Sequence, residues 1–414
     1  MKRRILWLCN KAPSLIENMR HAGKDSFGGW LDTTLEQLAS CEEYGVGVLV
    51  PSDCEDNGNS GNICFWTYNE KNCCDVFAHV LSEYCPDIIH IWGTEFSHSF
   101  RMIEACKQVG LLDRCVISIQ GLVSIYGKYH YCEGVPYHVV NRYTLRDCIK
   151  HDNIYCQREK FLQRGEYEIK ALKMVPHVIG RTDWDCAIAK QLNPGVQYHF
   201  CNETLRETFY HKQWDVTKIE RDSIFVSQCS YPIKGFHYLL MAMPEIIKRH
   251  PNARIYTTGK DLLNLNWKDR FKITSYQLYI CELIKQYHLE EKISFLGQLS
   301  AEQMCDQYLK ANVFVSASTI ENSPNSVGEA MLVGCPVVTS DVGGVKNMLQ
   351  HGEEGFVYQT SAPYMLAHYV NQIFENDALA QRFSKNATEH AKETHDMERN
   401  YKCLLKIYKS IIEQ

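Results

Sequence analysis

The sequence predicts an α/β protein of two domains, each built on a mainly parallel sheet. Three observations carry that prediction. At 414 residues the chain exceeds the size at which a single hydrophobic core usually stops growing. Short apolar runs alternate with stretches of helical periodicity, which is the rhythm of repeated strand–helix units. The rhythm breaks over the polar, aromatic stretch FYHKQWDVTKIERDS at 209–223 and then restarts. Domains are accordingly expected at 1–215 and 216–395, with 396–414 as a terminal helix packing back on the first domain.

The opening strand is Ile5-Leu6-Trp7-Leu8, and Asn10 and Lys11 end the apolar run too early for a secretory or membrane-spanning segment. Further strands are expected at 46–50, 88–92, 116–119 and 177–179, with helices at 100–109 and 184–191. After the break, strands are expected at 224–226, 254–257, 293–296, 313–315 and 336–339. A long helical pattern at 235–248 stops before Pro251, whereas 262–270 has too little pattern to assign. Tyr401, Leu404, Leu405, Ile407, Tyr408 and Ile411 recur at helical spacing near the end of the chain.

Composition excludes several classes. Hydrophobic residues make up 45% and charged residues 22% of the chain, the balance of a globular protein rather than a disordered one. Forty-four Lys and Arg against 49 Asp and Glu leave a formal charge of −5, which offers no general attraction to nucleic acid. The 19 Cys contain no Cys-x-x-Cys pair and read as thiols of a reducing cytoplasm. Neither Cys73-Cys74 nor His199 with Cys201 belongs to a ligand set of recognised spacing, so no metal is expected.

The stretch ENSPNSVGEA places Glu321 and Glu329 eight positions apart across a turn and a helix start. Pro324 can open a helix, and Asn325 or Ser326 can cap its first amides. Those amides and the helix dipole favour a phosphate, while Glu321 can accept sugar hydroxyls and Glu329 a ribose diol. In isolation the two carboxylates read first as a charged loop residue and a first-turn helix residue stabilised by the dipole. Nearby features favour the ligand: Lys234 at a helix start, and the paired glycines of Ser340-Asp-Val-Gly-Gly-Val345 after a strand. In the first half, Gly28 and Gly29 precede a helical pattern and suit a backbone approach to phosphate.

ENSPNSVGEA followed by MLVGCPVVTSDVGG resembles the signature region of retaining glycosyltransferases of family four, enzymes of bacterial surface-polysaccharide biosynthesis among them. The resemblance implies a GT-B fold, in which two Rossmann-like α/β/α domains face each other across a deep cleft. It carries over residue by residue: Glu321 and Glu329 match the paired glutamates, Lys234-Gly235 the basic phosphate element, and Gly28-Gly29 the N-terminal glycine loop. It implies that Glu321 holds the donor sugar, Glu329 the ribose, Lys234 the diphosphate, and Asn322, Ser323, Pro324, Asn325 and Ser326 the surrounding backbone contacts. Glu321 and Lys234 are thereby the catalytic residues expected. No cofactor and no metal are implied, and the donor substrate is a nucleoside-diphosphate sugar, with uridine favoured. One departure stands out: the Arg that many members place before this Lys is replaced by Gln228 or Cys229. Arg181 is a candidate substitute, weighed against a structural ion pair with Asp183 or Asp185.

The first domain is expected to choose the acceptor, a glycan or a lipid-linked saccharide. His90, Glu95, His98 and Gln120 lie at or just after predicted strand ends and are candidate acceptor-side residues together with Arg181; His90 reads equally as a satisfied core histidine. Between Arg142 and Lys173, eight basic residues stand against five acidic ones, with tyrosines interspersed, which allows peripheral contact with an anionic membrane at the inner face of the cell membrane. The oligomeric state is not legible. The alternatives are a sugar-nucleotide epimerase or hydrolase of the same architecture, and a catalytically silent nucleotide-sugar-binding protein. A nicotinamide oxidoreductase is disfavoured, because Gly45-Val-Gly47 lies inside a strand rather than after one.

Overall fold

The computed structural model describes residues 2–20 and 29–414, and only the backbone of Gly29 and Trp30. The chain divides into two compact units. One contains Met1–Ser124, Gln163–Arg206 and Thr394–Gln414; the other contains Ile125–Leu162 and Glu207–Glu393. This departs from a single cut near residue 215. Phe209 and Trp214, expected at the end of the first domain, are buried in the second unit, where Trp214 donates from its backbone to the Val333 carbonyl at 2.7 Å and from Nε1 to that of Ala311 at 2.8 Å. Aromatic burial of this kind makes 209–214 part of a core rather than a tether.

The first unit holds eight strands: β1 (Arg3–Cys9), β2 (Tyr44–Pro51), β3 (Asn57–Ser60), β4 (Ile63–Tyr68), β5 (Ile88–Trp92), β6 (Cys115–Ser118), β7 (His177–Gly180) and β8 (Gln197–Phe200). Their order is β3-β4-β2-β1-β5-β6-β7-β8, and all neighbours are parallel except the β3–β4 pair. Both faces of the central strands are covered, so β1 and β5 read as unbroken apolar runs instead of alternating ones. The terminal helix Met397–Ile412 completes this core: Leu404, Ile407, Tyr408 and Ile411 pack with Ile5, Trp7 and Val46, and Trp7 Nε1 donates to the Tyr408 hydroxyl at 3.0 Å.

The second unit's sheet is wholly parallel: β9 (Ser223–Val226), β10 (Arg254–Thr257), β11 (Ile293–Phe295), β12 (Val313–Ser316), β13 (Val337–Asp341) and β14 (Phe356–Gln359), in the order β11-β10-β9-β12-β13-β14. Strand order reverses between β9 and β12 here and between β1 and β5 in the first unit. A parallel sheet opens a crevice at the carboxyl ends of the strands flanking such a reversal, because the crossover helices on its two sides lie on opposite faces. The loops after β9, β12, β1 and β5 are therefore where functional side chains are to be sought. Among the described residues no helix is long and apolar enough to cross a membrane.

Candidate functional site

In the second unit the reversal brings together the two segments singled out in the sequence. The chain leaves β9, forms a single 3-10 turn at Pro232–Lys234 and enters the helix Phe236–Arg249 through Gly235. Gly235 has φ +64°, and a Cβ there would stand 1.8 Å from the Ala317 carbonyl oxygen, so only glycine permits this approach to the end of β12. The result is contact between the loops: Lys234 Nζ donates to Glu321 Oε1 at 2.6 Å, and the Ser318 hydroxyl donates to the same oxygen at 2.7 Å. Glu321 Oε2 takes no hydrogen bond from the described residues, so half of the carboxylate is committed and half is open. Both side chains are largely buried, at 23% and 12% exposed. Burial opposes the ammonium charge, yet the Glu321 carboxylate and the Tyr231 phenol hold the Lys234 pKa above its ordinary value. Lys234 is a fixed cation at any physiological pH.

The loop after β13 closes on the other side of Glu321. Gly344 donates to the Glu321 carbonyl at 3.1 Å, and at Gly343, φ +50°, a Cβ would lie 1.9 Å from that oxygen. The paired glycines thus approach the protein's own Glu321 loop. The helix Asn325–Val333 follows, with Pro324 at its N-cap and no side chain capping it. This corrects the expectation that Asn325 or Ser326 supplies a cap: both lie inside the first turn, and proline has no side-chain oxygen, so only its carbonyl accepts, from the Val327 and Gly328 amides at 3.0 and 3.3 Å. Ser323 Oγ lies 3.4 Å from Met348 Sδ, and Asn322 is buried. Glu329 is 5% exposed, and the Tyr308 hydroxyl bridges it to the helix start, 3.5 Å from Glu329 Oε2 and 3.1 Å from the Ser326 carbonyl. At the position of the missing Arg, Cys229 is buried with its thiol on the Thr258 carbonyl.

In the first unit the β1–β5 reversal assembles a second polar cluster. Asn10, just past β1, donates from Nδ2 to Glu95 Oε2 at 3.2 Å, and its Oδ1 lies 2.7 Å from His98 Nε2. Nε2 therefore carries the imidazole proton and Nδ1 is left as a base. Burial and the nearby Arg101 lower the His98 pKa to about 4, keeping the ring neutral. Burial raises that of Glu95 to about 7. His90 sits elsewhere. It is fully buried, with Nδ1 2.6 Å from the Tyr408 hydroxyl and Nε2 2.7 Å from Ser118 Oγ, and burial lowers its pKa to about 3. This corrects its candidacy as an acceptor contact: both ring nitrogens are spent inside the core.

Arg181 and Gln120 meet at the ends of β7 and β6. The Arg181 guanidinium bonds Glu203 Oε2 at 2.8 Å and Gln120 Oε1 at 3.3 Å, while Gln120 Nε2 donates to the other Glu203 oxygen. The ion-pair partner is thus Glu203 and neither Asp183 nor Asp185; Asp185 instead closes a capping box with Thr182. Gly28 lies outside the described residues, and Gly29 begins the described part of the helix Gly29–Ala39. Among the described residues no three His, Cys, Asp or Glu side chains converge as a metal site.

Sequence reasoning missed Ser318, Tyr308, Asn10 and Glu203. Ser318 alone had a local signal, three residues before Glu321 in the same loop. Asn10 and Glu203 are joined to their partners by strand order, and Tyr308 to Glu329 by the packing of two helices.

Residues 207–390 match the family model described as glycosyl transferases group 1, a span holding Lys234, Glu321 and Glu329. The chain is related to the group 1 glycosyl transferases. A glycosyltransferase of Methanocaldococcus jannaschii is 28% identical over 194 residues, 47% of this chain and 46% of that protein. The chain spans about half the length of the curated relatives it matches. Among solved structures, sucrose-phosphate synthase of Thermosynechococcus elongatus superposes with a TM-score of 0.71 at 16% identity over 100% of both chains. HepE of Anabaena in complex with UDP-glucose gives a TM-score of 0.65 at 16% identity, over 98% of this chain and 99% of that one. At such identities the likeness speaks for the fold alone, and that fold is GT-B.

Proposed function

We propose that the protein is a retaining glycosyltransferase that moves a hexose-type sugar from a nucleoside-diphosphate sugar to a hydroxyl of a glycan or lipid-linked saccharide. The observation that carries the reading is the Lys234–Glu321 contact at the β9–β12 reversal, beside a helix start without a side-chain cap. A diphosphate at that helix start gains the exposed amides of the first turn and the Lys234 ammonium, and Glu321 Oε2 accepts sugar hydroxyls. Glu329, buried behind the same first turn, takes the ribose diol. A UDP-sugar is the favoured donor.

In the reaction the bond between the anomeric carbon and the phosphate oxygen breaks. The acceptor oxygen bonds to the same face of that carbon, and its proton passes to the leaving phosphate. Negative charge gathers on the diphosphate as the bond breaks, so a fixed cation and helix amides stabilise the transition state more than the ground state. Glu321 positions the sugar through its open Oε2, Oε1 being held by Lys234 and Ser318, and attack on the face the phosphate leaves involves no covalent glycosyl–enzyme intermediate. Glu95 and His98, tied through Asn10, orient the acceptor hydroxyl, and Gln120 and Arg181 are further acceptor-side contacts. The chemistry needs no metal, and the setting is the cytoplasm at the inner face of the membrane, in surface-polysaccharide synthesis.

The test is acceptor-dependent release of nucleoside diphosphate from a panel of nucleotide sugars, with the product's anomeric configuration read by NMR. Glu321→Gln is expected to lower turnover by roughly 10²–10³-fold while nucleotide affinity stays within a few-fold. Unchanged turnover in that variant, or an inverted product, refutes the reading.

A further inference from the structure

Within the second unit, the segment Ile125–Leu162 carries a short helix, Leu145–Lys150, that is pinned against residues 273–275. Thr144 Oγ1 donates to the Ile273 carbonyl and the Ser275 amide donates to Asp147 Oδ2, each at 2.8 Å. Beside it runs the segment that the sequence left unassigned, which forms a single helical turn at Trp267–Arg270. The two segments share a groove of about 450 Å³ lined by Leu145, Leu263, Leu265, Phe271 and Leu278 among others.

Around this groove, apolar side chains stand out into solvent: Leu145 is 56%, Ile149 70%, Trp267 69% and Phe271 56% exposed. Large apolar groups at this exposure are costly in water unless something covers them. They are interspersed with Lys150, Lys268 and Arg270, none of which forms an ion pair among the described residues; Lys268 Nζ lies over the Trp267 ring at 5.4 Å. Asp269, in the same turn, is already matched by Lys260 at 3.4 Å and Lys272 at 3.7 Å. A chain of net charge −5 thus gathers unneutralised positive charge where its apolar side chains protrude.

We propose that this face docks on an anionic phospholipid surface, with Trp267, Phe271, Leu145 and Ile149 entering the headgroup–acyl boundary and Lys150, Lys268 and Arg270 meeting lipid phosphates. Charge complementarity selects this occupant: a mixed rim of protruding aromatic and basic side chains matches the amphipathic boundary of a charged bilayer. A protein partner would more naturally receive such side chains into pockets of its own and pair the cations with carboxylates. Docking rests on the membrane-face setting proposed for sugar transfer, yet the two are read separately, since a bare vesicle carries no acceptor.

The experiment is co-sedimentation of the full chain with vesicles of phosphatidylcholine alone and of phosphatidylcholine with about one-third phosphatidylglycerol. Affinity is expected to be roughly tenfold higher for the anionic vesicles and to fall as salt is raised. Trp267→Ser with Phe271→Ser, and separately Lys268→Glu with Arg270→Glu, are each expected to weaken it by about tenfold with the melting temperature unchanged. No binding, equal binding to neutral vesicles, or variants that bind like the parent overturn the proposal. So does light scattering that finds a dimer which Trp267→Ser with Phe271→Ser converts to monomer while vesicle binding persists, since the face then belongs to a second copy of the chain.

Discussion

Glu321 is held through one oxygen and offers the other, and this asymmetry gives it a directed role. Its partner Lys234 was legible from the sequence because both residues lie in short linear patterns, a basic residue before glycine and a pair of glutamates at fixed spacing. Asn10, Glu95 and His98 show the opposite case. Glu95 and His98 could be placed after a strand, but Asn10, which ties them, lies 85 residues from Glu95 and is joined to it only because β1 and β5 are neighbours. Glu95 also carries a testable consequence. Its ordinary pKa is 4.5 and burial raises it to about 7 in the folded chain. Between those values the folded chain keeps a proton that the unfolded chain has released, so stability falls as pH rises through that window and the penalty is constant above it. Glu95→Gln, which mimics the neutral acid, is therefore expected to melt above the parent at pH 8, by on the order of 2 kcal/mol in stability, and level with it near pH 4. Thermal denaturation at the two pH values reads the difference.

At the scale of elements, apolar strands flanked by turn residues were readable, and β5 and β10 occupy the expected 88–92 and 254–257. β3 was not, because NGNS has no apolar pattern and is a strand only through antiparallel pairing with β4. β8 is an edge strand with exposed and half-buried side chains, so its sequence lacks the apolar run that marked the inner strands. The segment Ile125–Leu162 was placed in the first domain by its position in the sequence, because its attachment to the second unit is long-range. Its anchor is Asp147, fully buried, which caps its own helix through Thr144 and accepts from the Ser275 amide 128 residues away. Asp147→Ala leaves that buried amide unsatisfied and is expected to cost about 2–3 kcal/mol, felt first as loss of hydrogen-exchange protection across the Thr144–Lys150 turn and Ser275. Unchanged exchange there would show that the segment is held elsewhere.

The molecule as a whole repeats one device. Each unit is a parallel sheet with one reversal of strand order, and each reversal collects polar side chains: Lys234, Ser318 and Glu321 in one, Asn10, Glu95 and His98 in the other. Two βα rhythms were enough to predict two sheets, but not which strands lie side by side, and hence not the second cluster. The terminal helix returns the chain to the first unit, where the Tyr408 hydroxyl links Trp7 and His90. The central claim is that the second unit holds a nucleoside diphosphate through Lys234. The measurement that tests it most directly is calorimetric titration of UDP, GDP and ADP into the parent chain and into Lys234→Met. One diphosphate is expected to bind the parent, with affinity falling about tenfold or more in the variant, while the matching nucleoside, lacking phosphates, binds both alike. A folded parent that binds none of the three, or a variant that binds as tightly as the parent, would contradict it.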